Sequence, residues 1–300
     1  RRSRIDLQQI PQYAEDLKKQ QIKLTIPNDP VELEYDLSSL KDLYLETLDR
    51  IDGSVDKNDG IYRFKAARYT PIQYVPDEMK EKLAKELEKK TGVKFGLLAG
   101  QANVSKFMRR MLVRRFESSV AAFRASLIYM IQSSENILHW VEKRKKMPIY
   151  KKGNLPEIED LYSISDDNMD NVEETLEKYT EQGFFEIDMK YISDQFLKDV
   201  EADIALLKAI QEKWFGKNKI IQSDPKLASF KKILTQQLHT DPKRKLIVFT
   251  EFADTANYIG KQLKEEGFPV FKYTSADASI ENKDLIRANF DAGLKDDLQK

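Results

Sequence analysis

Two short polar loops hold the residues of this sequence whose chemistry suits a phosphate group. Thr250–Phe252 follows the apolar run Leu246–Phe249, and Thr274–Ser275 follows a second apolar run, Val270–Tyr273. Hydroxyl groups, and backbone N–H groups at the start of a helix, bind phosphate oxygens without distinguishing between bases. The same positions also suit ordinary turn residues, with Asp254 as a helix cap. Both interpretations stay open on these residues alone.

The usual catalytic patterns are missing from the sequence. Gly92, Gly96 and Gly100 are spaced like a phosphate loop, but Gln101 and Ala102 stand where Lys-Ser or Lys-Thr would have to follow. There is no Gly-x-Ser-x-Gly elbow, and no catalytic triad can be assembled. We therefore predict no catalytic residue in this chain.

The histidines, cysteines and acidic pairs argue against a metal site. His139 and His239 lie far apart, with no ligand spacing around either. The sequence has no cysteine, which excludes disulfides, thiolate zinc sites and cysteine nucleophiles and fits a reducing cytoplasm. Asp77–Glu78 resembles a metal-binding acidic box, but its position fits charge at a helix N-terminus better.

A strand–helix–strand pattern positions the two polar loops. Leu246–Phe249 is wholly apolar, as in a parallel strand that is buried on both faces. The next segment has apolar residues at helical spacing, namely Phe252, Ala256, Ile259 and Leu263. Gly267 suits a left-handed helix stop, and Val270–Tyr273 supplies the next strand. Because ligands of open parallel sheets bind at the carboxyl ends of the strands, we expect both loops at one edge.

The chain before this unit is predicted to be mostly helical. Val31–Leu37 alternates apolar and polar residues, which predicts a half-exposed strand. We expect helices over Pro11–Gln20, Leu40–Leu48, Pro76–Lys90, Val104–Lys146, Met169–Glu181, Ile192–Phe215 and Pro225–Leu238. The longest of these has a candidate break near Ser133–Ser134. Its apolar face comprises Phe107, Met111, Val120, Phe123, Leu127, Met130, Ile131, Leu138 and Val141.

Charge is balanced in total but unevenly distributed. The sequence has 50 basic and 50 acidic residues, so its net charge indicates no class of partner. Val104–Lys146 has ten basic and three acidic residues, whereas Asn154–Asp203 has sixteen acidic and three basic ones. Such blocks form solvated helix faces or attract each other, and a basic block also suits nucleic acid. No apolar run approaches the length of a membrane span.

Six segments together resemble one protein family. They are RRSRIDL (1–7), IPNDPVELEYDL (26–37), MLVRRFESSVAAFRASL (111–127), SDPKL (223–227), KLIVFTEFADTANYIGKQL (245–263) and DLIRANFDAG (284–293). In this order they resemble the second RecA-like (helicase C-terminal) domain of superfamily 2 helicases of the Swi2/Snf2 type, in a bacterial subgroup with a long helical insertion. The phosphate loop and acidic box of the first motor domain, and the later arginine motifs of the second, are absent. The chain therefore resembles a fragment.

The resemblance implies an α/β fold. We expect a partial RecA-like parallel sheet with a large, mostly α-helical insertion. Residues 1–30 would be a linker from the preceding motor domain, and residues 31–60 the entry strand and helix of the second RecA-like domain. Residues 61–221 would form the helical insertion, and residues 222–300 the truncated first part of the second RecA-like domain.

The resemblance also implies a role in an ATP-dependent DNA helicase or translocase, whose second motor lobe contacts the nucleic-acid backbone. The implied contacts are Thr250, Glu251, Phe252, Thr274, Ser275, Lys106, Arg110 and Arg114. The last three stand at i, i+4 and i+8, so they form one stripe on a helix. ATP and Mg would bind the full-length protein, and we expect neither bound to this chain, which alone should hydrolyse no ATP. The expected partners are DNA, with RNA left open, and the protein's own first motor domain. The expected compartment is the cytoplasm, and no membrane is expected to bind.

Two other functions stay open. The chain could be a non-catalytic protein-interaction module, with a helical scaffold on a Rossmann-like base that binds a partner through its charged blocks. It could also be part of an unrelated doubly wound enzyme whose active-site strands are cut off. DNA binding that depends steeply on salt, and that becomes weaker when Arg110 and Arg114 are replaced by glutamate, would favour the interpretation as a motor lobe.

Overall fold

The computed structural model describes residue 7 and residues 9–21, 29–53, 59–91, 104–150 and 184–290. The chain divides into two compact units, Arg1–Tyr35 and Asp36–Lys300. The helix predicted over Met169–Glu181 lies outside the described residues. The domain boundaries predicted at residues 30, 60 and 221 stay predictions.

The first unit contains helix α1 (Pro11–Lys19), as the sequence predicted. Pro11 suits its start, because the first residue of a helix needs no N–H donor. Val31 and Leu33 are 80% and 54% exposed. The strand predicted over Val31–Leu37 is wrong, because this segment pairs with no neighbour among the described residues.

The second unit is mostly helical. Its described α-helices are α2 (Lys41–Asp52), α3 (Asp77–Thr91), α4 (Val104–Ser118), α5 (Val120–Arg144), α6 (Gln195–Phe215), α7 (Pro225–Thr240), α8 (Ala253–Glu265) and α9 (Ile280–Phe290). Strands β1 (Lys146–Tyr150) and β2 (Phe184–Asp188) pair antiparallel, with Lys146 opposite Asp188. Among the described helices, none has the length and apolar composition that crossing a membrane requires.

The long helix predicted over Val104–Lys146 is in fact two helices, α4 and α5. Ser119 separates them in an extended conformation, and its hydroxyl accepts a hydrogen bond from the Ala122 N–H at 3.0 Å, which caps α5. The break predicted near Ser133–Ser134 is wrong. Ser134 Oγ donates to the Met130 carbonyl at 2.7 Å, one turn back, so the helix accommodates this serine.

The core of the second unit forms where α5 packs against α6, with α4 and α2 beside them. The Phe116 ring of α4 lies 4.5 Å from the Phe123 ring of α5 and 5.0 Å from the Trp214 ring of α6, between centroids. Trp214 Nε1 donates to Thr47 Oγ1 of α2 at 2.8 Å, which satisfies the buried indole. Since Leu112 is also fully buried, one face of α4 is fixed inwards and the opposite face is exposed.

The predicted RecA-like parallel sheet is absent from the described residues. The α/β fold class is therefore wrong for this part of the chain, which is mostly helical with one two-stranded antiparallel sheet. The strands predicted over Leu246–Phe249 and Val270–Tyr273 are wrong, because neither segment pairs as a strand among the described residues. An apolar run predicts an extended backbone, whereas a sheet also needs neighbours for its backbone hydrogen bonds. Ile247, Val248 and Phe249 are accordingly 55%, 52% and 90% exposed instead of buried.

The helix ends of the last part follow the local sequence signals. Asp224 Oδ1 accepts a hydrogen bond from the Leu227 N–H at 2.9 Å and caps α7, with Pro225 at its first position. Gly267 follows α8 at a φ of 84°, which a residue without a Cβ adopts at little cost. The caps and stops were predictable here, although the sheet was not.

Candidate nucleic-acid interface

Helix α4 presents a basic stripe on its outer face. The helix has five basic residues and one acidic residue. At about 100° per residue, Lys106, Arg110 and Arg114 lie within an arc of about 80°. All three are exposed. Lys106 and Arg110 form no ion pair within the part of the chain that the structure describes. We call these three residues the α4 stripe.

The loop Thr250–Phe252 contacts one end of the α4 stripe, at Arg114. Arg114 Nη2 is 2.8 Å from Glu251 Oε2, and the two side chains are 59% and 53% exposed. Exposed ion pairs of this kind contribute about 0 to 1 kcal/mol, so an incoming anion can replace the carboxylate at small cost. The structure thus brings together two groups of predicted contact residues that are distant in the sequence.

A second arginine, Arg115, holds the same loop more firmly. It forms an ion pair with Asp254, and its guanidinium lies 4.9 Å from the centroid of the Phe252 ring. Arg115 Nε also donates to the Ala122 carbonyl at 3.3 Å. Phe252 is only 9% exposed. The side chain of this predicted nucleic-acid contact therefore packs beneath Arg115 and anchors the loop.

Three hydroxyl groups fix the start of α8 against the junction of α4 and α5. Thr255 Oγ1 lies 2.8 Å from Ser118 Oγ and 2.8 Å from Ser119 Oγ. Thr255 is 3% exposed, so this contact is shielded from water. Ser119 therefore caps α5 and holds α8 at the same time, which sets the position of the loop relative to the α4 stripe.

The start of α8 leaves hydrogen-bond donors for an anion. Phe252 is the N-cap residue, and its side chain caps nothing. The first N–H groups of any helix lack intrahelical partners. Thr250 is exposed, and its hydroxyl accepts from the Phe252 N–H only at 3.5 Å, the outer limit of a hydrogen bond. A hydroxyl, a helix start and Arg114 together suit a phosphate oxygen.

The second predicted loop, Thr274–Ser275, is engaged internally. Thr274 donates to Asp277 Oδ2 through its hydroxyl at 2.6 Å and through its N–H at 2.9 Å. Lys272 Nζ lies 3.0 Å from the same oxygen. These contacts, with the Thr274 hydroxyl first, lower the pKa of Asp277 to about 2. No hydrogen bond or ion pair among the described residues joins this loop to Thr250–Phe252.

A separate buried polar cluster joins α6 to the segment before α3. Asp203 Oδ1 accepts from the Lys65 N–H at 2.9 Å and from the Tyr62 hydroxyl at 3.0 Å. Its Oδ2 accepts from the Ala67 N–H at 2.8 Å. Asp203 is 4% exposed, and this burial raises its pKa to about 6 although the three hydrogen bonds act in the opposite direction.

Asp199, one turn before Asp203, completes this cluster. Its carboxylate accepts from Lys65 Nζ, Gln195 Nε2 and the Tyr74 hydroxyl, each at 2.9 Å. Burial acts to raise the pKa of Asp199, but these three hydrogen bonds outweigh it and lower the pKa. Every carboxylate oxygen of the cluster is engaged by the protein itself, so the cluster has a structural role.

The titratable residues considered as metal ligands stay apart. Among the described residues, no group of three or more histidine and acidic side chains could hold a metal ion. His139 is exposed on α5 and His239 is exposed on α7. Asp77 and Glu78 stand in the first turn of α3, where negative charge complements the helix dipole.

Four further residues determine the interface, and no local pattern in the sequence reveals them. Arg115, Ser118 and Ser119 meet α8 residues that are 136 to 139 positions away, and local spacing cannot reveal such contacts. Thr255 is the partner of both serines, so local spacing could not reveal its role either.

Phe107, predicted for the buried face of the helix, is 59% exposed, so that prediction is wrong.

Comparisons with protein-family models, with curated proteins and with solved structures found no match for this chain. Membership of the Swi2/Snf2-type helicases therefore stays a prediction that depends on the six sequence segments.

Proposed function

We propose that this chain binds the sugar–phosphate backbone of nucleic acid through the α4 stripe and the start of α8. The observation that carries the proposal is the 2.8 Å contact between Arg114 and Glu251, which sets the stripe beside the Thr250–Phe252 loop. Arginine side chains and helix-start N–H groups both bind phosphate oxygens. Contacts of this kind position a strand and are independent of its sequence.

The charges around the site favour an anionic polymer. Lys106 and Arg110 have no carboxylate partner among the described residues, and Arg114 has one that is half exposed. A strand that runs along α4 would meet these three cations in succession. Each neutralised phosphate releases counterions, so binding should be strongest at low salt.

The sequence resemblance extends this proposal to a larger role. We propose that the chain is the nucleic-acid-contacting part of an ATP-dependent DNA helicase or translocase, with ATP and Mg²⁺ bound by the full-length protein. Its partners would then be DNA and the protein's own first motor domain, and its compartment the cytoplasm. The described residues form no RecA-like sheet, so this larger role is supported by the sequence segments alone.

The test is a binding titration of labelled DNA, followed by fluorescence anisotropy at low salt. The variant Arg110→Glu/Arg114→Glu should bind about 10- to 100-fold more weakly, because two charge-assisted contacts become repulsive. The control Lys82→Glu/Lys89→Glu makes the same change of charge on exposed positions of α3. Equal losses in both variants, or no binding by the unmodified chain, would contradict the proposal.

An interaction module for a protein partner is the second candidate function. It is favoured by the apolar segment Ile247–Phe249, which is largely exposed and pairs with no strand among the described residues. Exposed apolar patches are typical of protein-interaction surfaces. This candidate predicts no DNA binding at low salt. It predicts instead that an array of apolar peptides is bound by the unmodified chain and not by Phe249→Lys.

A further inference from the structure

Phe107 presents an aromatic ring on the outer face of α4. The helix has two aromatic residues, of which Phe116 is 5% exposed and Phe107 is 59% exposed. A large apolar ring in water is unfavourable, and a ligand that covers it gains from its removal from water. Phe107 does not belong to the core cluster around Phe116, so its ring is accessible to a ligand.

Phe107 stands in line with the α4 stripe. It precedes Arg110 by three residues and Arg114 by seven, which are the spacings of one helix face. With about 100° per residue, Phe107 and the three cations share an arc of about 100°. The rise of about 1.5 Å per residue places Phe107 about 10 Å from Arg114 along the helix axis. A ring and three cations therefore face the same ligand.

We propose that Phe107 stacks on an unpaired base and that the α4 stripe takes single-stranded nucleic acid. This inference rests on the proposed function, since it specifies the ligand of the same site. Proteins that bind single strands without sequence preference combine cations along the backbone with aromatic rings that stack on bases. A duplex keeps its bases stacked on one another, so a ring on a helix surface has no base face to meet there.

The charges near Phe107 support this choice of ligand. Lys106 precedes Phe107 by one residue and Arg110 follows it by three, and neither cation has an anionic partner among the described residues. Among the described residues, carboxylates lie at the other end of the stripe, where Glu251 meets Arg114 and Glu117 stands one residue before the end of α4. An anion with flat apolar faces suits a ring that stands beside cations on one helix face. Nucleotides have both properties, in DNA and in RNA.

The test compares single and double strands with the full 300-residue chain. The probes are a fluorescein-labelled oligothymidylate, a mixed-sequence duplex of equal length and the matching oligouridylate. Phe107→Leu keeps an apolar side chain but removes the ring, and Phe107→Trp restores an aromatic face. Phe290→Leu is the matched control, because Phe290 is also exposed, at 43%, on α9.

Phe107→Leu should weaken single-strand binding roughly 5- to 100-fold and leave duplex binding within about twofold. Phe107→Trp and Phe290→Leu should bind single strands like the unmodified chain. Thermal unfolding should be unchanged, because the ring is largely exposed. Tighter binding of either the thymidylate or the uridylate supports the proposal and identifies the preferred strand.

Three results would overturn the proposal in distinguishable ways. If Phe107→Leu binds single strands normally while Arg110→Glu/Arg114→Glu does not, stacking is wrong and the proposed backbone contact stands. If Phe107→Leu loses single-strand and duplex binding equally, the ring does not select for unpaired bases. If the unmodified chain binds neither form, the proposed function itself fails.

Discussion

Arg114 and Glu251 are 137 residues apart in the sequence, and their side chains meet at 2.8 Å on the surface. The Glu251 carboxylate therefore binds the Arg114 guanidinium, which is the group that a phosphate would bind. Both side chains are more than half exposed, so the pair is weak and open to exchange. An internal carboxylate on a phosphate-binding arginine should reduce the affinity for nucleic acid.

Glu251→Gln should therefore increase the affinity for DNA about two- to fivefold. The substitution removes the competing charge and a repulsion of the backbone, which together amount to about 0.5 to 1 kcal/mol. Anisotropy titrations at low salt measure this change. Glu265→Gln, at the far end of α8, removes one charge from an exposed position and should leave the affinity unchanged. Unchanged or weaker binding by Glu251→Gln would mean that Glu251 does not compete.

Thr255→Val should lower the free energy of unfolding by about 1 to 3 kcal/mol. Valine keeps the shape of threonine, but it leaves the hydroxyls of Ser118 and Ser119 without their buried partner. Urea unfolding measures this loss, and hydrogen exchange should show faster exchange at the start of α8. The control is Thr235→Val, which changes an exposed threonine of α7 and should have an effect within about 0.5 kcal/mol. Equal losses of stability in Thr255→Val and Thr235→Val would show that the hydroxyl cluster does not stabilise the interface.

The stability of the chain should rise as the pH falls from about 7 to 4 because of Asp203. Its pKa is about 6 in the fold against an ordinary value of 3.8, so the folded state binds the proton more tightly. This contribution is complete below pH 3.8, is lost as the pH rises through about 6, and amounts to about 3 kcal/mol at most. The pKa of Asp199 is below its ordinary value of 3.8, so its protonation changes the stability only below this pH range.

Asp203→Asn isolates that effect. The amide cannot accept from both the Lys65 and Ala67 N–H groups, so the variant should be less stable at pH 7 by about 1 to 3 kcal/mol. The difference in the free energy of unfolding between the unmodified chain and the variant should widen towards pH 4, because Asp203 takes up a proton and the asparagine cannot. Urea unfolding at several pH values measures the difference. A constant difference across the range would refute the raised pKa.

The ends of helices could be predicted because they depend on neighbouring residues. Asp224 and Pro225 start α7, and Gly267 follows α8, as their side-chain chemistry requires. The break at Ser119 was missed because a serine within a helix and a serine at a cap look alike in sequence. Ser119 caps a helix, whereas Ser134 bonds one turn back inside one.

The face that α4 buries could not be predicted from spacing alone. Phe107 and Met111 form one apolar pair at i and i+4, and Leu112 and Phe116 form another on the opposite side. Packing against α2 and α5 selects the second pair, which leaves Phe107 in water. Likewise, the strand predicted over Leu246–Phe249 is wrong because strand pairing depends on distant segments, which an apolar run does not reveal. The contact of Arg114 with Glu251 is of the same non-local kind.

The chain alone should hydrolyse no ATP. Its sequence lacks the lysine and hydroxyl residue of a phosphate loop after Gly100, and the resemblance assigns ATP to the full-length protein. A coupled phosphate-release assay with ATP, Mg²⁺ and saturating DNA should give the same rate of phosphate release as a control without protein. Turnover that persists through purification to homogeneity would contradict this expectation.

The most direct test of the backbone contact is the salt dependence of DNA binding. Each lost phosphate contact reduces the slope of log affinity against log salt by about 0.7 for a single strand. The variant Lys106→Gln/Arg110→Gln/Arg114→Gln should therefore reduce the slope by about 2. The control Lys82→Gln/Lys85→Gln/Lys89→Gln on α3 should leave the slope unchanged. A stripe variant with the slope of the unmodified chain would show that α4 does not contact the phosphate backbone.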